Sequence, residues 1–316
     1  MKIVIKGNKK KAEEVVEDNE KPRKPLKIVI KQSGNGKREA ESEPKDDNGN
    51  PGKRMKIIIK KKGLKMVSSA HYITKNEQGK PLGEDAYFVA DEEQTIGVAD
   101  GVGGWAKRGI DSGEYARELM KNAITEVRRE AKEGSAVDPK SVLDQAFSDN
   151  KLKGASTACI ATHNDGVLRA INLGDSGFMV FRKGELVFKS SIQQRRFNCP
   201  FQLGNHKKCE RPDRGEMMEV PVMEGDVVVM GTDGLLDNMY KSEIKEIVAA
   251  EKERSPEDLA WMIAQQAYCH SIDEYYASPF AIESALAGKE HQGGKVDDIT
   301  VVVGKIIRHY DLQLRT

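Results

Sequence analysis

At 316 residues the chain is long enough for one large domain or two small ones. Its formal net charge of +1 conceals an asymmetry: residues 1–66 carry 20 Lys or Arg against 10 Asp or Glu, and the remainder carries 31 against 40. An acidic body excludes the broad basic footprint of a nucleic-acid-binding domain and suits one that gathers carboxylates around cations. Four cysteines, Cys159, Cys199, Cys209 and Cys269, stand at irregular spacings that do not make a secreted disulfide framework. The first residues offer only a short apolar run followed by mixed charge, unlike a signal or transit peptide, and no run approaches a membrane span. The expectation is a soluble intracellular protein, cytoplasmic or nuclear.

Along the chain, the first feature is a repeat. Lys2-Ile3-Val4-Ile5-Lys6 recurs at Lys27 to Lys31 and again as Lys56-Ile57-Ile58-Ile59-Lys60. The intervening segments are rich in Lys, Glu, Asp, Gly, Asn and Pro, which bury too little apolar surface to offset ordering. Residues 1–66 are therefore predicted to be a basic, largely disordered arm with three strand-prone islands. Such islands suit addition to the edge of a partner's sheet, and the arm's charge suits phosphate groups. No aromatic residue is interleaved to stack on bases, so specific nucleic-acid recognition is not expected.

Residues 67–316 form the second predicted domain. Ala86–Ala90 and Thr95–Ala99 read as a hairpin, and Thr157–Thr162, Val167–Leu173, Phe178–Arg182 and Leu186–Lys189 read as a meander with Gly-containing turns. Val227–Met230 and Ile299–Ile306 are near-continuous apolar strands. Helical spacing is found in Ser112–Glu133, Ser141–Phe147, Lys241–Ala250 and Pro256–Ala267, with start signals at Asp111-Ser112 and Ser255-Pro256. Tyr275-Tyr276 and the Gly293-Gly294 turn read as a lead-in to the last strand. This order is not a βαβ alternation; it predicts an α+β fold of antiparallel sheets sandwiched by helices.

The most informative residues are aspartates in turns beside apolar strands. They occur in Gly83-Glu84-Asp85, Ala99-Asp100-Gly101, Leu173-Gly174-Asp175, Thr232-Asp233-Gly234 and Val296-Asp297-Asp298. An Asp beside a Gly at a strand end projects a short, hard oxygen donor from a rigid base. Mg²⁺ and Mn²⁺ take such donors. A single Asp-Gly is an ordinary turn; five such sites in one domain point to cations.

In content and order, Gly83-Glu84-Asp85, Asp100-Gly101-Val102-Gly103-Gly104-Trp105, Gly154-Ala155-Ser156-Thr157-Ala158, Asn172-Leu173-Gly174-Asp175-Ser176, Asp233-Gly234-Leu235-Leu236-Asp237 and Asp297-Asp298-Ile299-Thr300 resemble the metal-dependent (type 2C) protein serine/threonine phosphatases, in a plant and mitochondrial sub-branch. The resemblance runs from about residue 70 to 306. It implies an α-β-β-α sandwich of two antiparallel β-sheets and hydrolysis of phosphoserine and phosphothreonine in proteins by a metal-activated water, with no protein nucleophile. It also implies two Mg²⁺ or Mn²⁺ ions per domain. Asp100 would bridge both, Asp233 and Asp297 would complete one shell, and Glu84 with the Gly101 carbonyl would serve the other. Asp175 and Asp237 match positions associated with a third cation, and Asp85 would support Glu84.

Two positions depart from the family pattern. Val102 stands where many members carry a histidine able to protonate the leaving oxygen, a contribution worth about 10²–10⁴-fold. Lys80 stands where an arginine usually holds the substrate phosphate; it is read as a phosphate contact or a solvated loop lysine, and it lacks the bidentate fork. Cys199-x6-His206-x2-Cys209 matches no common zinc spacing, and its loop, about Gln193 to Gly215, lies where a substrate flap could sit. The expected partners are a phosphoprotein substrate and a protein partner for the arm, on a monomeric chain. The competing readings are a catalytically silent domain of the same fold and a two-metal nuclease; the acidic body counts against the latter.

Overall fold

The computed structural model describes residues 29–32, 56–75 and 82–315. The chain divides into two compact units, Met1–Gly63 with Arg308–Thr316, and Leu64–Ile307. In the first, β1 (Val29–Gln32) pairs in parallel with the start of β2 (Lys56–Ile73), Val29 opposite Lys56. The second and third Lys-Ile repeats overlap these strands; the first lies outside the described residues. β2 runs unbroken through residue 66, where the composition changes.

The larger unit takes in the rest of β2 from Leu64, followed by the hairpin β3 (Asp85–Ala90) and β4 (Thr95–Asp100), then α1 (Ser112–Lys132) and α2 (Pro139–Asp149). The strands β5 (Ala155–Ser156), β6 (Ala158–Asn164), β7 (Val167–Leu173), β8 (Gly177–Arg182) and β9 (Glu185–Lys189) follow. Next come the short β10 (Gln194–Arg196), β11 (Cys199–Pro200) and β12 (Leu203–Gly204), then β13 (Glu216–Pro221) and β14 (Val227–Gly231). The chain ends with α3 (Asp233–Leu236), α4 (Lys241–Ala250), α5 (Pro256–Ser271), α6 (Pro279–Leu286) and β15 (Ile299–Arg315).

One sheet is ordered β13-β7-β6-β4-β3 and the other continues from β2 as β15-β14-β8-β9. Alternation along the strands explains the layers. In β14, Val228 and Met230 point between the sheets with Ile96, Val98, Phe178, Val180 and Val302, whereas Val227 and Val229 point outward to Ile244, Leu259 and Ile263 of α4 and α5. The outer face of the other sheet, through Phe88, Ile160 and Ile171, packs on Leu119, Ala123 and Val127 of α1 and on Val142 and Leu143 of α2. The result is the expected helix–sheet–sheet–helix sandwich. Asp111 caps α1 by accepting from Gly113 N at 2.9 Å, and Ser255 caps α5 by accepting from Asp258 N at 3.1 Å.

Two expectations are corrected. The four strands from β6 to β9 are not a meander: β6 and β7 belong to one sheet, β8 and β9 to the other. The chain changes sheets at Gly174-Asp175-Ser176, where Gly174 has φ 109° and a side chain would press into Thr157. The stretch before the last strand is not merely a lead-in, because it contains α6, opened by Ser278, which accepts from Ala281 N at 3.0 Å. The segment from Gln193 to Gly215 likewise holds three short strands and a 3₁₀ turn, Pro212–Arg214.

Candidate metal centre

The antiparallel order brings the ends of β4, β7 and β14 and the starts of β3 and β15 to one end of the sandwich. Asp85 and Asp100 face each other across β3 and β4. Asp100 is fixed through its backbone: its N–H donates to Thr157 Oγ1 at 3.0 Å and its carbonyl accepts from Thr157 N at 2.8 Å. Thr157 Oγ1 lies 2.7 Å from Ser176 Oγ, so the same hydroxyl pair ties Asp100 to the turn that carries Asp175. Gly101 donates to the Glu84 carbonyl at 3.0 Å. A Cβ there would meet the carbonyl oxygens of Ser112 at 2.5 Å and Glu84 at 2.7 Å, so only glycine allows this turn.

One carboxylate oxygen from each of Asp100, Asp175 and Asp233 lies within 4.8 Å of the others. The Asp175 Oδ1 atom is buried and has no hydrogen-bond partner among the described residues. Burial, followed by the charges of Asp233, Asp85, Asp297 and Asp175, pushes the Asp100 carboxyl well above its ordinary range. Burial and Asp233 do the same to Asp175. Converging hard oxygens, one of them orphaned, fit a divalent cation that prefers oxygen donors.

The other expected ligands join this group through two lysines. The Lys295 ammonium bonds Asp233 Oδ2, lies 2.7 Å from Asp237 Oδ2 and lies 3.2 Å from Asp297 Oδ2. Lys75 Nζ donates to Glu84 Oε2 at 2.8 Å and to Asp297 Oδ1 at 3.2 Å. Ser112 Oγ donates to the second Glu84 oxygen at 2.8 Å. Burial would lower the Lys295 pKa, but Asp233, Asp237 and Asp297 outweigh it and hold the ammonium well above its usual range. Burial also opposes the Asp297 carboxylate, yet Lys295 and Lys75 bring it below the ordinary value. Asp237 is pushed up to about 7, by burial first, with Lys295 opposing and Asp233 adding to the rise.

Thr232 Oγ1 and Thr300 Oγ1 donate to Asp85 Oδ2 at 2.8 and 2.7 Å, and its buried Oδ1 has no hydrogen-bond partner among the described residues. Asp298 accepts from Lys75 N at 2.9 Å and from Glu84 N at 2.7 Å, which orients Glu84. Val102 donates its N–H to Ala155 O at 2.9 Å and presents no group that could carry a proton. Lys80 lies outside the described residues. Lys75, Lys295 and the orienting role of Asp298 escape the sequence reading. Lys295 follows the Gly293-Gly294 turn, which reads in sequence only as a lead-in, and it reaches Asp233 across 62 positions, while Lys75 meets Asp297 across 222, so no local pattern reports these contacts.

No protein-family model matches the chain. It is 44% identical over 247 residues to the probable protein phosphatase 2C 80 of Arabidopsis thaliana, covering 78% of this chain and 59% of that relative. The chain thus spans less than two thirds of that relative's length. It is 35% identical over 260 residues to the protein phosphatase PTC7 homolog fig of Drosophila willistoni, covering 76% of this chain and 82% of that one. Among solved structures, the photosystem II phosphatase PBCP superposes with a TM-score of 0.71 at 30% identity, over 76% of this chain and 98% of its own. The catalytic domain of the serine threonine protein phosphatase PstP, solved with two manganese ions, shares the fold at a TM-score of 0.55 and 16% identity, over 77% and 99% of the two chains. With a relative above 30% identity matched over most of its length, the chain belongs to the type 2C family of metal-dependent protein phosphatases.

Proposed function

We propose that this chain hydrolyses phosphoserine and phosphothreonine in proteins, using divalent cations held by the carboxylates at one end of the sandwich. The observation that carries the reading is the convergence of Asp100, Asp175 and Asp233, from three separate turns, within 4.8 Å. Asp100 would serve two cations, Asp233 and Asp297 would hold one, and Glu84 with the Gly101 carbonyl would hold the other. Asp175 and Asp237 stand beside Asp233 for a third. The all-oxygen donor set favours Mg²⁺ or Mn²⁺ over softer metals, and the manganese of the PstP structure supports a count of at least two. When bound, such ions supply Lewis acidity toward water and phosphoryl oxygen.

The chain's own groups orient these donors: Asp298 holds the Glu84 backbone, and Thr157 holds Asp100. Cys159 is buried within the sandwich and its thiol is pushed far up by burial, so it offers no thiolate nucleophile. Without a histidine at position 102, the proton for the leaving serine oxygen comes from solvent at the site, and Lys80 is the family-position candidate for gripping phosphate. The N-terminal arm is assigned to a protein partner, and the catalytic unit acts as a monomer.

The test is hydrolysis of a phosphoserine peptide with Mn²⁺ or Mg²⁺, with and without chelator, for wild type and Asp233→Asn. Turnover that depends on metal and is lost in the variant is expected. No turnover in wild type, or turnover indifferent to both chelator and substitution, sinks the reading.

A further inference from the structure

Lys295 touches three of the carboxylates assigned to cations, and its side chain is only 15% exposed. A divalent ion arriving on Asp233 with Asp237 or Asp297 brings positive charge to the oxygens the ammonium occupies. The two cations repel, and they compete for the same lone pairs. The ammonium has a further partner in the Phe280 ring, whose centroid lies 5.1 Å from Nζ. That ring is itself buried, and it packs on Phe197 with centroids 5.0 Å apart and on the edge of His291 at 4.7 Å. Phe197 lies between β10 and β11, and Lys289 Nζ stands 5.1 Å from its ring.

This segment reaches the cage at a second point. Gln193 N donates to the Gly174 carbonyl at 2.8 Å, beside Asp175, and Gly174 N returns to Gln193 Oε1 at 3.3 Å. At its far flank, His206 meets Trp105, just after the Asp100-Gly101 turn, with centroids 5.9 Å apart. A contiguous row of contacts therefore runs from the carboxylates through Lys295 and Phe280 to Phe197.

We propose that Lys295 is a resident cation that a divalent metal must displace, and that the Phe280–Phe197 contact passes this displacement to the segment 193–214. The proposal rests on the metal reading above. Lys295 stabilises the crowded carboxylates in the metal-free chain and weakens metal affinity by the same interaction. Because coupling between two sites is reciprocal, the position of the segment also sets how readily Lys295 leaves.

The experiment is calorimetric titration of the full chain with Mn²⁺ alone, combined with hydrogen exchange over residues 193–214 with and without saturating Mn²⁺. Lys295→Met is expected to bind Mn²⁺ at least tenfold more tightly than wild type, and Lys295→Arg to stay within threefold. Lys295→Gln, which keeps hydrogen bonding without charge, carries the same expectation as Lys295→Met should that variant not fold. Exchange in the segment should change on metal binding in wild type. That change should shrink by more than half in Phe280→Leu while Mn²⁺ still binds. Unchanged or weaker Mn²⁺ binding in the neutral variants overturns the proposal, as does a segment indifferent to metal in wild type. If wild type binds and Asp233→Asn weakens binding in either case, the metal reading survives; if wild type binds no Mn²⁺, both fall.

Discussion

Asp226, in the turn before β14, and Asp175, in the turn after β7, stand at opposite ends of the same sandwich. Asp226 is 1% exposed and fully answered. Arg182 donates to it through Nε at 3.0 Å and Nη2 at 2.8 Å, and Met223 N adds a third bond at 2.9 Å. Asp175 has a buried oxygen with no partner among the described residues, and its strongest charged neighbours are other carboxylates. The same contrast extends to the adjoining turns. At the far end, Gln94 Oε1 accepts from Met66 N, Asp91 accepts from Ser68 N, and the Gly166 carbonyl accepts from Val222 N. Buried polar groups are ordinarily satisfied by the chain itself. An end where a buried carboxylate oxygen goes unanswered among the described residues, in a fold whose other end pairs its buried carboxylate with an arginine, holds charge ready for a ligand.

The widest gap between the two ends should open on Asp100→Asn. The substitution keeps shape and removes one charge from the cage. Turnover of a phosphoserine peptide should fall by roughly 10³-fold, equivalent to about 4 kcal/mol of transition-state stabilisation. The metal-free variant should melt no lower than wild type, because it loses repulsion from Asp233 and not a bond. A large fall in its melting temperature would mean that Asp100 holds the fold as Asp226 does, and the comparison would break.

At the far end, Asp226→Asn should behave in the opposite sense. Losing the charge that Arg182 grips is expected to cost about 2–3 kcal/mol, a drop of roughly 3–6 °C for a chain of this size. Mn²⁺ affinity, measured on the folded variant, should be unchanged. A variant as stable as wild type would show that the two-pronged pair contributes little.

The far end was also the more legible one in the sequence. Its hairpins announce themselves locally, by Asp91 to Gln94 and by Asn164-Asp165-Gly166 between alternating strands. At the near end, the Asp-Gly turns were visible one at a time, because each is a local signal. Their convergence was inferred only from the order of motifs. Alternation shows which residues face inward, but it cannot tell which sheet a strand joins, so in sequence the crossing at Gly174 to Ser176 looks like one more meander turn. Ser278-Pro279 repeats the start signal of Ser255-Pro256, yet its helix is short and half-exposed, with Leu286 77% exposed, and its apolar face gave no clear period. Lys75 and Lys295 were illegible for a different reason. A lysine's partner is set by tertiary geometry: Lys295 reaches Asp233 across 62 positions and Lys75 reaches Asp297 across 222, although Asp297 and Glu84 also supply each with a nearby partner.

Adding metal should bring the near end toward the condition of the far one. At Mn²⁺ a hundredfold above its dissociation constant, linkage contributes about 2.7 kcal/mol to the folded state. The melting temperature should rise by roughly 4–5 °C, with the same rise in Asp226→Asn and little in Asp100→Asn. A rise of equal size in all three would place the stabilising ion outside the cage.

The smallest expected effect tests the far end by pH. His163, 4% exposed, ends the β6 side of its hairpin, and its Nε2 accepts from Gly166 N at 3.3 Å, which requires a neutral ring. Burial lowers its pKa, with Asp165 opposing. The unfolded chain, near the ordinary value of about 6.5, therefore takes up this proton before the folded chain does. Stability is fully present above that pH and is lost as pH falls from it toward the folded value, at no more than about 1.4 kcal/mol per pH unit. His163→Gln should flatten this part of the curve. The near-end carboxylates contribute equally to both proteins, so the difference between their denaturant midpoints from pH 7.5 to 5 isolates the histidine. Parallel curves would mean that the turn opens enough for His163 to titrate as it does in the unfolded chain, and that the far end is less completely closed than its hydrogen bonds imply.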